Sequence, residues 1–534
     1  MPKKWIVDND IHEVHAKGEG LLFDDELLPV LRRINTAIGL CEIGKIANTM
    51  FWKNDASTRS RSVTFQNGQI LFSQWAMAYL AAGLIRSGGN DYRRRIFTKP
   101  GRLFDNLIVL NNTHHNCLVQ PELLPGRGME SLSDLDSFFL RTVFEQFPYQ
   151  FDPVSEMARS IYLFEELSEQ VETPEIPNLK SLFTEITGLT LTDYLNISFA
   201  VAAMTQERPV FSPLLLSQTP IVTLQQTLSV ENLTKYLNVM AIDYSTFREI
   251  DHRRNQDLPK EYTRFRFNPL VRTPIVVSQK DKLHIVPNAS LFIRAAFPGL
   301  FWLFDTHFYA LGKIEEFRRY FSKIFELYTG KVLKDIYGQM VKHGGEIKEG
   351  YEFFDWYTEY NGICYLFEVK AYQYPHKTQT KALPEDVEEV VNKKIGKLID
   401  QIGRKMRDVK TLAFLECFRS KRLSPVAVIW DMPLISTSRF RERIQQIIEE
   451  TKKKYSLDEL NLHIMESHEL ENLVSVGHPI PLNEVFEEAD REVNESIGSI
   501  INRRYKPKRN PTLQKIFNDF TDRISPAIAD KTLR

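Results

Sequence analysis

Residues 352–372 read EFFDWYTEYNGICYLFEVKAY. Asn361-Gly362, near the middle, is the strongest short-range hairpin signal a sequence carries. A two-residue type I′ turn needs positive φ at both positions, and Asn and Gly tolerate that best. With these two as the turn, Tyr360 pairs with Ile363, and counting outward sets Asp355 opposite Glu368. Side chains alternate faces along a strand. Asp355, Glu368 and Lys370 then share one face, while Phe354, Trp356, Tyr365, Phe367 and Val369 share the other, apolar one. Opposed residues bring their Cβ atoms to about 4.5–5.5 Å, and like charges so placed repel. Something positive is expected between the acids: Lys370, or a hard divalent cation taking oxygen ligands.

An acid ending one strand, followed by a hydrophobic strand ending Glu-x-Lys, resembles the PD-(D/E)xK nuclease superfamily. The resemblance is carried by Asp355 and by Phe367-Glu368-Val369-Lys370, over residues 310–480. In the preceding helical stretch FSKIFELYTGKVL, Glu326 stands where the family often has a further metal-binding acid. On a helical wheel it lies beside Ser322, Thr329 and Gly330, small residues expected to leave room. The next helix offers Lys394, Lys397, Gln401 and Arg404 at three- and four-residue spacing. Many members carry a substrate-holding Gln there, within Gln-x-x-x-Tyr; Gln401 is carried over on that basis, although Lys405 stands in place of the Tyr.

The resemblance implies a restriction-endonuclease-like core, a mixed sheet flanked by helices. It implies Mg²⁺ (or Mn²⁺) held by Asp355, Glu368 and Glu326, with Lys370 orienting or deprotonating a water. An all-oxygen site suits these ions better than zinc. The implied substrate is a nucleic-acid phosphodiester, DNA favoured over RNA. A rival Glu-x-Lys, Glu346-Ile-Lys348, has no hydrophobic strand before it and no facing acid. A salt-bridged, solvent-facing hairpin is the bland alternative, and the thoroughly apolar opposite face argues against it.

The rest of the 534-residue chain sets the context. It has 68 Lys and Arg against 69 Asp and Glu, so a nucleic-acid surface must be a local patch. Two patches qualify: residues 86–102, with Arg93, Arg94 and Arg95, and the tail RRYKPKR at 503–509. The four cysteines show no zinc-type spacing and read as buried free thiols. No apolar run is long enough to span a bilayer, and a cytoplasmic protein without a membrane partner is expected. Residues 1–250 read as a mainly helical sensing, assembly or target-selection module, with 20–120 mostly helix. Residues 251–310 read as a hairpin around a Lys-Asp turn plus a connecting segment. The nuclease-like domain covers 311–480, and a helix and basic tail cover 481–534. The fold class is multidomain α+β. No phosphate-binding GxxxxGK[ST] loop occurs, so a motor function is excluded from the reading. A nuclease with a large module and no motor suits restriction or anti-phage defence, controlled by self-assembly or a partner protein. The alternatives are a nuclease-like binding or scaffolding subunit without turnover, and a DNA-repair or transposition nuclease.

Overall fold

The computed structural model describes residues 3–7, 10–14, 34–53, 61–65, 68–72, 74–92, 151–218, 224–258, 266–374, 384–432, 438–492 and 495–524, with single positions among 28–32 and at 144 and 149. The protein is mixed α+β and divides into two compact units. The first holds residues 1–161, 180–303 and 520–534; the second holds 162–179 and 304–519. No described helix is long and apolar enough to cross a membrane.

In the first unit, helices α1 (Thr36–Lys53) and α2 (Gln74–Arg86) share a core of Leu40, Ile43, Met77, Leu80 and Leu84. Two antiparallel hairpins, Lys3–Val7 with Asp10–Val14 and Arg61–Phe65 with Gly68–Phe72, are also present; the second lies between α1 and α2, within the region 20–120 read as mostly helix. A small sheet is built from β1 (Val210–Phe211), β2 (Ala241–Asp243), β3 (Ile275–Val277) and β4 (His284–Ile285), in the order β1-β4-β3-β2. Strands β3 and β4 are the hairpin expected around Lys280-Asp281. Buried Asp91 ties this unit together. It accepts from the Ala37 amide (2.9 Å), the Tyr244 hydroxyl (2.8 Å) and the Gln279 amide (2.6 Å).

The second unit is built on one mixed sheet. Helix α3 (Ile314–Tyr337) leads into β5 (Lys342–His343), β6 (Trp356–Tyr360) and β7 (Ile363–Gln373). Helix α4 (Gly396–Thr411), β8 (Arg422–Asp431), α5 (Ser438–Lys454) and β9 (His463–Glu466) follow. The order is β9-β8-β7-β6-β5, antiparallel from β5 to β7 and parallel from β7 to β9. The β6–β7 register runs from Trp356↔Phe367 to Tyr360↔Ile363, as the turn residues require. Asn361 (φ 52°) and Gly362 (φ 75°) both occupy the left-handed region. A Gly362→Ala change places a Cβ in that conformation, so equilibrium urea unfolding should show a loss of about 1–2 kcal/mol.

The expectation of one apolar face needs correcting. Strand β7 is central, and Ile363 through Val369 are buried on both faces. Helix α3 covers the Tyr365 face: Tyr337 stacks on Tyr365 with centroids 6.4 Å apart, and lies 5.6 Å from Tyr360. Further along α3, Phe321 and Phe325 meet Trp430 of β8 edge-on, at 5.5 and 5.1 Å. The opposite face, with Tyr357 and Glu368, meets Phe418 and α4, where Lys405 reaches Glu368. A central strand flanked by a parallel neighbour reads as continuously apolar, and so conceals a charge placed inside it. Among the described thiols one departs from expectation: Cys364 is buried and Cys41 half-buried, but Cys417 is exposed, while Cys117 lies outside the described residues.

Candidate functional site

The hairpin register brings the three central residues together. Asp355 lies one residue before the first β6–β7 pair, and its Oδ2 accepts the Val369 amide at 2.7 Å. That bond pins the Asp355 carboxyl beside the backbone that carries Glu368 and Lys370. Glu368 has no exposed surface, and both of its oxygens are held by ammonium groups. Lys370 Nζ donates to Oε1 at 2.6 Å, and Lys405 Nζ donates to Oε2 at 2.7 Å.

Glu326 reaches the same place from α3. The indole of Trp356 packs on Gly330, where a Cβ would lie 2.1 Å from its ring, and donates its Nε1–H to the Glu326 carbonyl at 3.0 Å. Gly330 thus admits Trp356 and does not leave the open space expected beside Glu326. The Glu326 carboxylate meets His343 Nε2 at 2.9 Å. The Gly345 amide donates to His343 Nδ1 at 3.2 Å. In the neutral ring this assigns the proton to Nε2, which donates to Glu326.

Burial, then the neighbouring Glu368, push the Asp355 carboxyl up to about 7; Glu326 adds to this, and Lys370 and Lys405 work against it. For Lys370, burial pulls the ammonium down, but Glu368 and Asp355 outweigh it and leave the group above its ordinary value. The Asp355 shift has a definite sign. The folded chain binds the proton more tightly than the unfolded chain, so charging Asp355 costs stability as pH rises from about 4 to about 7. An Asp355→Asn protein should therefore unfold at higher denaturant than wild type at pH 8, by on the order of 1–2 kcal/mol, with most of the gain gone by pH 5. Equal midpoints at both pH values would show that the carboxylate carries no such penalty.

The other expected residues lie around this centre. Gln401 donates to Glu352 Oε1 at 2.9 Å, and Arg404 lies 3.7 Å from Glu352 Oε2. Both converge on this exposed acid and make no hydrogen bond to Asp355 or Glu368 that would place them in the cluster. Lys397 is exposed on the same helix, and Lys394 donates to the Gln373 carbonyl at 2.6 Å. Arg93, Arg94 and Arg95 lie outside the described residues. In the basic tail, Arg503 pairs with Glu488 and Glu495, and Arg504 with Glu484 and Glu488. Glu346 of the rival Glu-x-Lys sits in a single 3₁₀ turn, Gly344–Glu346.

Lys405 is the site residue that the sequence reading passed over. The buried stripe of α4 runs through Leu398, Ile402, Lys405, Met406 and Val409. A lysine at a core position of such a stripe is the signal that could have found it.

Among the described residues, no group of three or more His, Cys, Asp or Glu side chains is gathered closely enough to hold a metal ion as it stands. The donor chemistry nevertheless fits a hard divalent cation. Asp355 feels the charges of both Glu368 and Glu326, and the three supply only carboxylate oxygens. A cation bound at Glu368 Oε1 would have to displace Lys370, whose side chain is 23% exposed. No protein-family model matches the chain, and no curated protein or solved structure does either.

Proposed function

We propose that the protein is a metal-dependent nuclease of the PD-(D/E)xK kind, acting on DNA in preference to RNA, in restriction or anti-phage defence. The observation that carries this reading is the cluster at the β6–β7 hairpin: Asp355 bound to the Val369 amide, with Glu368 and Lys370 on either side of that residue. Phosphodiester hydrolysis needs charge neutralised on the phosphate and a nucleophile drawn from water. Mg²⁺, held by Asp355, Glu368 and Glu326, would supply Lewis acidity and acidify a bound water. The chain's own residues do the rest. Lys370 swings from Glu368 to orient that water or to offset charge on the phosphate. Lys397 and Arg404 give α4 a basic flank, continued by Lys394 in the turn just before it, along which a phosphate backbone can lie. Burial of Glu368 keeps bulk water from its carboxylate.

A second reading has an observation in its favour: both Glu368 oxygens are already taken by lysines. A subunit that binds nucleic acid without cutting it would tolerate that arrangement permanently. Supercoiled-plasmid nicking in Mg²⁺ separates the two. Wild type should convert plasmid to open-circular or linear forms, and EDTA should stop it. A folded wild-type chain that cleaves neither DNA nor RNA with Mg²⁺ or Mn²⁺ leaves only the binding reading.

A further inference from the structure

Two ammonium groups hold Glu368, and they are not equivalent. Lys370 is 23% exposed and flanked by half-buried Ala371 and Tyr372. Lys405 is 1% exposed and rises from the apolar stripe of α4. Its ammonium donates to Glu368 Oε2 and to the Phe353 carbonyl, each at 2.7 Å, lies 5.6 Å from the centre of the Phe354 ring, and lies 3.8 Å from Glu352 Oε1. One side chain thus grips the acid of β7 and the backbone two residues before Asp355. A lysine buried this deeply is costly unless paired, and its pairings leave it nowhere to go.

We propose that Lys405 is a resident cation of the site: it fills the electrostatic place of a second divalent ion, so the three acids take a single metal ion per chain. This rests on the nuclease reading and deepens it. The charges decide the stoichiometry. Asp355, Glu326 and Glu368 present three carboxylates, and Lys405 cancels one of them for good. With Lys370 turned out toward a phosphate, two negative charges remain. One divalent ion balances them; a second would bring an excess of positive charge that, among the described acids, only Glu352 is placed to offset, and that acid is largely exposed and already shared with Arg404 and Lys405. Lys405 also holds Glu368 Oε2, leaving Oε1, the atom Lys370 releases, as the oxygen open to the ion. Lys405 is thereby a positioning residue: it orients Glu368 directly and the Asp355 segment through Phe353.

The test is the binding of Mn²⁺ to the full-length chain, followed by calorimetry and by the electron paramagnetic resonance of the bound ion. Wild type should bind one Mn²⁺ per chain. Lys405→Met keeps the volume and removes the charge; it should bind a second Mn²⁺, and Mn²⁺ should raise its melting temperature more than that of wild type. Lys405→Arg keeps the charge and should stay at one ion. If Lys405→Met does not fold, Lys405→Gln, which retains a donor for the Phe353 carbonyl, takes its place with the same expectation. Two ions bound by wild type that nicks plasmid would overturn the proposal and leave the nuclease reading standing. One ion bound by wild type and by the folded neutral variants alike would also overturn it. A folded wild type that binds no Mn²⁺ removes the proposal together with the metal-dependent reading.

Discussion

Lys370→Ala should cut Mg²⁺-dependent plasmid nicking by about 10²–10³-fold, the usual loss when one pre-placed donor is taken from a developing charge. The substitution is a clean one because of Lys405. Removing one partner of a buried ion pair ordinarily leaves an uncompensated charge and costs several kcal/mol. Here Glu368 keeps its second ammonium at 2.7 Å, so the variant should fold and melt close to wild type. Asp355→Ala should be at least as inactive, since it removes a metal-binding acid together with the acceptor of the Val369 amide. The two variants should differ in metal binding: Lys370→Ala retains Mn²⁺ affinity or gains some, while Asp355→Ala loses it. Nicking by purified Lys370→Ala at the wild-type rate would remove this side chain from the chemistry.

Gly344→Ala should be the most damaging single methyl in the second unit. A Cβ built there would lie 1.7 Å from the Phe354 carbonyl oxygen, which is backbone and cannot rotate aside. The Gly344 amide also donates to the Asp355 carbonyl at 2.9 Å, so moving the two strands apart breaks the contact that backs Asp355. Overpacking of this kind costs typically 1–3 kcal/mol where side chains can yield; against backbone the cost should be about 3 kcal/mol or more, together with loss of nicking. Gly330→Ala makes the comparison. Its Cβ would strike the Trp356 ring at 2.1 Å, and displacing that ring breaks the indole bond to the Glu326 carbonyl. Unfolding in guanidinium, followed by tryptophan fluorescence, measures both; a wild-type midpoint for Gly344→Ala would mean that β5 and the Phe354 segment do not pack this closely.

The register of the hairpin could be read from the sequence because two residues determine it. Asn361-Gly362 permits one turn geometry, and the positions of Asp355, Glu368 and Lys370 follow by alternation. The partners of Glu368 could not be read the same way. Lys405 comes 37 residues later on a helix. Which helix face meets which sheet face is a matter of tertiary packing, invisible to local spacing. Taken against the Gln-x-x-x-Tyr pattern, Lys405 looked like a departure; taken against the helix's own apolar stripe, it marks a buried charge in need of a partner. His343 was hidden for a related reason. It lies on a two-residue strand, too short to leave a period, and its link to Glu326 exists only once β5 joins the sheet.

The second unit reaches back in sequence to residues 162–179, and that has a practical bearing on how the protein is dissected. Phe164 stacks on Phe304 and Phe321 at 6.1 and 5.9 Å, and Tyr320 donates its hydroxyl to the Ser168 carbonyl at 2.9 Å. A fragment begun just ahead of α3 would carry every proposed catalytic side chain and still lack part of the core beneath the helix that bears Glu326. Inactivity of such a truncation would therefore report a missing wedge of structure, and a deletion series meant to separate regulation from chemistry must keep the early segment or supply it as a separate peptide.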